Sequence, residues 1–356
     1  MRILSCEVWP VELTLEEPFV IAYSTMERAV NYFLRIDTDA GISGFGCSAF
    51  DEEVTGENER TVGTALREIA VPLLIGEDPL SYASILERLH HQIPDQPTAM
   101  ASVDMALLDI VGKKAGLPLY KLLGGARHAI KSSITIGIQP VDAVVSKAVM
   151  WTDRGYRALK IKCGISVEED IEKLHKVRER VGREVEIYVD ANQGYDIQSA
   201  LRFIRAVDSL GIEFIEQPCD KRKPDAFSVL RERSGGTVPL MADEAILGPE
   251  DVLRLIKAGG ADLYNIKLAK TGGIWRARQL DAVAAAAGSA TMVGCMDEAG
   301  LGIAAALHMA LSSTNVRYAD LDGHVEFIDD PSYDAVRIKD GFVYPNESPG
   351  LGFSFP

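Results

Sequence analysis

A chain of 356 residues, 47% of them hydrophobic and 25% charged, has the composition of a globular protein, and its length predicts one large barrel-type domain or two domains rather than one small core. A formal net charge of −15 argues against nucleic acid and anionic membrane as partners, since both would repel it. Five cysteines without paired spacing, no long apolar run near Met1, and no segment reaching the roughly 18 apolar residues of a membrane span predict a cytoplasmic protein in a reducing compartment.

The first 48 residues alternate in short runs, Ile3 to Val11, Asn31 to Asp37 and Gly44 to Ser48, with Asp39-Ala40-Gly41 as a turn. This pattern predicts a three-stranded antiparallel sheet. Phe19 to Ala29 and Phe50 to Glu59 are polar enough to be read as loops. From Asn58 to about Lys121 the period turns helical, with Val103, Ala106, Leu107, Ile110 and Val111 on one face of a helix opened by Pro97. A sheet followed by helices predicts a separate α+β domain over residues 1–122.

After Gly125 strand and helix alternate. Strand runs at Ser133–Gly137, Ala158–Lys162, Glu186–Asp190, Phe214–Gln217, Leu240–Glu244, Leu263–Leu268, Thr291–Gly294 and Arg317–Asp320 predict a parallel β/α barrel over residues 123–320. The tail, 321–356, is rich in Pro, Gly and aromatics and is expected to pack back on the first domain.

Five polar side chains fall at the carboxyl ends of successive barrel strands: Lys162, Asp190, Glu216, Asp243 and Lys267. They lie roughly 25 residues apart, about one βα unit, so they ring the one mouth where barrel active sites are built. Three converging carboxylates need a cation, and three hard oxygens suit Mg²⁺. A lysine on each side suits proton transfer beside a carboxylate whose developing enediolate charge the metal stabilises. Lys160 shares a strand face with Lys162, and repulsion between the two ammonium groups would favour a neutral amine on one of them.

The series resembles the muconate-lactonizing-enzyme subgroup of the enolase superfamily, whose sites set a Lys or His base beside Mg²⁺. The pieces that carry the resemblance are the Lys160–Lys162 pair, Asp190, Glu216 and Asp243, Lys267 followed by Thr271-Gly272-Gly273, and the Pro118–Gly125 run. It spans essentially the whole chain. It implies a (β/α)₇β barrel, a modified TIM barrel, capped by an α+β domain built from both termini. A homo-oligomer is the expected assembly.

Within that resemblance, Asp320-Leu321-Asp322 at the end of strand eight is similar to the pair with which dipeptide epimerases hold the substrate's α-ammonium group. The physics agrees: both acids face one side of the chain and offer paired acceptors to a cation. The resemblance implies 1,1-proton transfer at the α-carbon of the C-terminal residue, with Lys162 facing the L configuration, Lys267 the D, and Lys160 in support. Members acting on alanyl-glutamate carry an arginine in the first cap loop, where this chain has Ser24. Asp51-Glu52-Glu53, Asp297 and Glu298 add acids near the mouth and favour Lys or Arg in the substrate. Asn192 is expected to touch substrate or the residues behind it. Cycloisomerase and o-succinylbenzoate synthase reactions use the same lysines, so the Asp320/Asp322 pair is the discriminator. A non-catalytic peptide-binding barrel would have no use for two bases beside a metal.

Overall fold

The computed structural model describes residues 1–223 and 225–355. Eight parallel strands follow one another in sequence order around a barrel: Ile134–Ile136, Ala158–Lys162, Glu186–Asp190, Ile212–Glu216, Leu240–Ala242, Leu263–Ile266, Thr291–Val293 and Val316–Ala319. These are barrel strands one to eight below. Strands one and eight meet where Ser133 N donates to Ala319 O at 2.9 Å. Helices cover the outside, so the strands are buried on both faces and read as nearly continuous apolar runs. Inside, Tyr188, Phe214, Met241, Leu263, Met292 and Tyr318 form a floor, with Tyr188 stacked on Phe214 at 4.6 Å. The lower barrel is therefore packed solid, and only its upper end can hold a ligand.

The three predicted N-terminal strands are present and pair antiparallel in order. The first two are longer than their alternation suggests, Ile3–Val20 and Thr25–Thr38. The segment Phe19 to Ala29, read from sequence as a loop, is instead the far end of this hairpin. It closes with Ile21 N donating to Ser24 O at 3.0 Å. Its polar residues are tolerated because the ribbon runs over the barrel mouth instead of into a core. The tail supports it from the other side: Glu16 N donates to Glu326 O at 2.8 Å, and Thr14 Oγ1 to Asp329 Oδ2 at 2.8 Å. Phe50 to Glu59, also read as a loop, contains a helical turn, Glu52–Thr55, because Asp51 caps it by accepting from Glu53 N at 2.9 Å.

The helix Pro97–Ala115 is the seam of the molecule. It lies so close to the sheet that a Cβ on Gly46 would sit 1.9 Å from Ser102 O. Its Asp104 accepts from Ile274 N at 2.6 Å and Trp275 N at 3.0 Å, capping a barrel helix. Its Asp109 accepts from Phe45 N at 3.0 Å and from Leu351 N of the tail at 2.8 Å. Phe355 stacks edge-on against Trp9, Phe33 and Phe45. Cap, barrel and tail are thus fastened through one buried helix, which fixes the cap hairpin above the barrel mouth.

Candidate active site

Strand register brings the series together. Lys162 pairs with Asp190, and Asp190 with Glu216. Glu216 pairs with Met241, so Asp243, two residues on, points the same way. Oxygens of Asp190, Glu216 and Asp243 lie within 4.8 Å of one another. Lys162 Nζ stands 2.8 Å from Asp190 Oδ2 and donates to Asn192 Oδ1 at 2.9 Å. Lys267 Nζ stands 2.8 Å from Asp243 Oδ2. The two lysines come from strands four positions apart in an eight-stranded barrel, so they flank the carboxylates from opposite sides.

The carboxylates cannot all carry charge unaided. Burial would raise Asp190, but Lys162 and then Lys160 bring it down to about 2. Burial and then Asp190 push Glu216 up to about 8. Lys267 and Lys270 overcome burial at Asp243 and hold it well below the usual carboxylate range. Glu216 Oε2 and Asp243 Oδ2 are buried and accept no aligned hydrogen bond. Ammonium nitrogens do stand 2.9 and 2.8 Å away, but off the direction that a hydrogen bond needs, so these contacts are electrostatic and leave lone pairs free. Three hard oxygen donors with two unsatisfied atoms and one carboxyl forced toward its neutral form fit a divalent cation.

Lys160 departs from the expectation of like-charge repulsion. Its Nζ lies 2.8 Å from Asp320, 2.9 Å from Glu216 and 3.1 Å from Asp190. Burial opposes its charge, yet Asp320, Glu216, Asp190 and Asp243 outweigh burial and hold it well above the usual lysine range. Lys267 is also raised: burial opposes, and Asp243 is the main carboxylate that overrides it. Four acids around the site decide the sign, where the sequence reading counted only the neighbouring lysine.

A cavity of about 780 Å³, counting the solvent space at its mouth, opens above these groups. Lys160, Lys162, Asn192, Lys267, Asp320 and Asp322 all line it. Asp320 accepts from Ser133 Oγ at 2.6 Å and Thr135 Oγ1 at 3.2 Å. Asp322 accepts from Thr135 N at 2.5 Å. Burial and then Asp320 push Asp322 up to about 7. The pair is therefore held apart and pointed by strand one, as two acceptors facing one space.

Asp51 and Asp297 also line the cavity. Asp51 accepts from Tyr23 Oη at 2.9 Å as well as capping its helical turn. Asp297 is raised by burial and by Asp51, so the two acids share one space. Two predicted contacts fall elsewhere. Ser24 closes the hairpin turn through its carbonyl, and the cavity wall there is Tyr23 and Met26. Glu298 is fully buried with both carboxylate oxygens unpartnered, and burial pushes it up to about 8. The chain reverses at Met296, where Glu298 N donates to Met296 O at 2.8 Å, so Asp297 takes the cavity and Glu298 the interior. His308 is a packing residue, its Nδ1 accepting from Tyr120 N at 2.9 Å.

Sequence reasoning missed Lys270, Glu244, Thr135, Tyr23 and Glu326. Lys270 donates to Asp243, and Glu244 accepts from Asn192 Nδ2 at 3.1 Å. Their closeness to Lys267 and Asp243 in the chain was a usable signal. Glu326 reaches the cavity only because the tail returns to the first strand, and no local pattern announces that.

Residues 143–356 match the enolase C-terminal domain-like family, and residues 4–124 match the mandelate racemase / muconate lactonizing enzyme N-terminal domain. The L-Lys-D/L-Arg epimerase of Desulforapulum autotrophicum is 38% identical, with 99% of each chain covered. The dipeptide epimerase of Methylococcus capsulatus, solved with Mg and the dipeptide L-Arg-D-Lys, superposes with a TM-score of 0.92 at 36% identity, covering 99% of both chains. The substrate-liganded L-Ala-D/L-Glu epimerase of Bacillus subtilis superposes with a TM-score of 0.96 at 32% identity, covering 99% of this chain and 98% of the other.

Proposed function

The chain belongs to the mandelate racemase / muconate lactonizing enzyme family of the enolase superfamily, and from that premise we propose that it is a dipeptide epimerase that inverts the α-carbon of the C-terminal residue. It is an isomerase, with Mg²⁺ as its cofactor. One observation carries the reading: Lys162 and Lys267 flank a single carboxylate triad from opposite sides, each 2.8 Å from a different member, in the cavity that Asp320 and Asp322 also face.

Asp190, Glu216 and Asp243 would hold the metal. When bound, it supplies positive charge that stabilises the substrate carboxylate as its α-proton leaves. Lys162 removes that proton from one face while Lys267 returns one to the other, and the roles reverse for the opposite configuration. A base must be a free amine, so whichever lysine acts as base must first give up its proton, while the other must carry the proton it returns. A divalent cation on the triad would favour that loss by competing for the same carboxylates. Lys160, fixed among Asp190, Glu216 and Asp320, keeps a positive charge beneath the developing oxyanion. Asp320 and Asp322 receive the α-ammonium group.

For the side chain, the proposal is a preference for Lys or Arg over glutamate. Asp51, Asp297 and Glu326 put acids on the cavity wall, and the aligned arginine is absent at Ser24. The names of the Desulforapulum and Methylococcus relatives support the same choice. A dipeptide library incubated in D₂O with Mg²⁺ and read by mass shift tests the whole reading. Incorporation of one deuterium into dipeptides ending in Lys or Arg is expected. No incorporation into any dipeptide would overturn the activity, and a clear preference for alanyl-glutamate would overturn the side-chain assignment.

A further inference from the structure

The cap segment that carries Asp51 is anchored firmly at its base. Glu57, fully buried, accepts from Thr98 N at 2.9 Å at the start of the seam helix. Its tip is different. The turn Glu52–Thr55 has only four residues, so its last carbonyls have no partners within the helix. Val54 packs with Ala269 and Met296 of the barrel, a small apolar contact. Among the described residues, the polar tie between this tip and the barrel is one side chain. Lys221, in the loop after strand four, donates from Nζ to Glu53 O and to Val54 O, the latter at 3.2 Å. An ammonium at a helix C-terminus satisfies orphan carbonyls and opposes their partial negative charge. Its neighbour Arg222 folds back onto Asp220 at 2.6 Å instead.

Lys221 is itself held from below. Its backbone N donates to Gln193 Oε1 at 3.0 Å. Gln193 and Asn192 form a turn with φ of +68° and +39°, a left-handed conformation that non-glycine residues adopt at a cost and that the surroundings must impose. Gln193 N donates to Gln217 O at 2.8 Å, which supplies part of that constraint. Asn192 in the same turn accepts from Lys162. One residue therefore connects the turn behind a proposed base to the cap segment bearing Asp51, and through Asp51 to Tyr23.

We propose that Lys221 is a positioning residue that latches the cap segment Glu52–Thr55 to the barrel, and that it thereby sets substrate affinity by holding Asp51 and Tyr23 on the cavity wall. The inference rests on the dipeptide epimerase reading. The test pairs kinetics with amide hydrogen exchange. Lys221→Met keeps the side-chain stem and removes the charge. With L-lysyl-L-arginine and Mg²⁺, KM should rise about tenfold, the loss of one charge-assisted contact, with a smaller change in kcat. Exchange in a peptide covering residues 52–56 of the free protein should quicken, and Lys221→Arg should restore both. Unchanged exchange in Lys221→Met would overturn the latch. Faster exchange with unchanged KM would overturn its link to affinity. If the wild-type protein turns over no dipeptide, the functional reading fails, and the exchange arm alone still decides whether Lys221 is a latch.

Discussion

Replacing one proposed base at a time should separate proton removal from epimerisation. Lys267→Ala deletes the ammonium 2.8 Å from Asp243, yet Asp243 keeps Lys270, which donates to both its carboxylate and its carbonyl. Lys162→Ala deletes the partner 2.8 Å from Asp190, which keeps Lys160 at 3.1 Å. Neither variant leaves a buried carboxylate alone, so the several kcal/mol that an orphaned buried charge costs should not be incurred, and both should fold. The loss then falls on the chemistry. Removing a general base typically costs about 10²–10⁴ in rate, so L,L to L,D conversion should fall by at least about 10² in each variant. Lys162 remains in Lys267→Ala, on the face assigned to the L configuration. That variant should still exchange the α-proton of an L,L-dipeptide for deuterium at a rate within about tenfold of wild type, and Lys162→Ala should do so only with the L,D-dipeptide. Proton NMR in D₂O with Mg²⁺ reads exchange and epimerisation in one sample. A variant that epimerises at near wild-type rate would refute the two-base arrangement and leave the proton transfer to a single base.

Glu216→Gln should weaken Mg²⁺ binding without unfolding the barrel, as isothermal titration and circular dichroism would register; unchanged affinity would remove Glu216 from the ligand set. If Asp320 and Asp322 hold the α-ammonium, N-acetylation of the dipeptide should raise KM roughly tenfold or more, the worth of a charge-assisted hydrogen bond. Because Asp322 is pushed up to about 7, it loses its charge as pH falls through neutrality. KM for a free dipeptide should therefore rise from pH 8 to pH 6, and Asp322→Asn should flatten that part of the profile. His308 and His324 are buried and lowered to about 4. Each should contribute stability that is present above the unfolded histidine value of about 6.5 and lost as pH falls toward 4, on the order of 3 kcal/mol apiece. His324→Phe should shrink the loss of denaturant resistance between pH 7 and pH 5; an unaltered slope would refute the assignment.

The barrel and its ring of functional side chains were legible in the sequence because both are local properties. A strand fixes which residues share a face, and a βα unit fixes the distance to the next strand, so Lys162, Asp190, Glu216, Asp243 and Lys267 could be placed at one mouth before any contact was known. The Asp320/Asp322 pair stood out through the family resemblance, with the one-residue separation placing both acids on one side.

What the tertiary structure decided depends on segments far apart in the chain. The cap hairpin runs past its expected end because the tail pairs with it, Leu15 bridging Phe327. Lys160 carries a reinforced charge because strands three, four and eight bring acids to it, a sum that no single strand reveals. Tyr23 rather than Ser24, and Asp297 rather than Glu298, reach the cavity because each choice follows a turn's geometry after the cap has docked. Lys221 meets a carbonyl 168 positions away in sequence. Side-chain chemistry and period are written in neighbouring residues. The sign of a buried charge, and the partner a lysine finds, are set by whatever the folded chain packs around it.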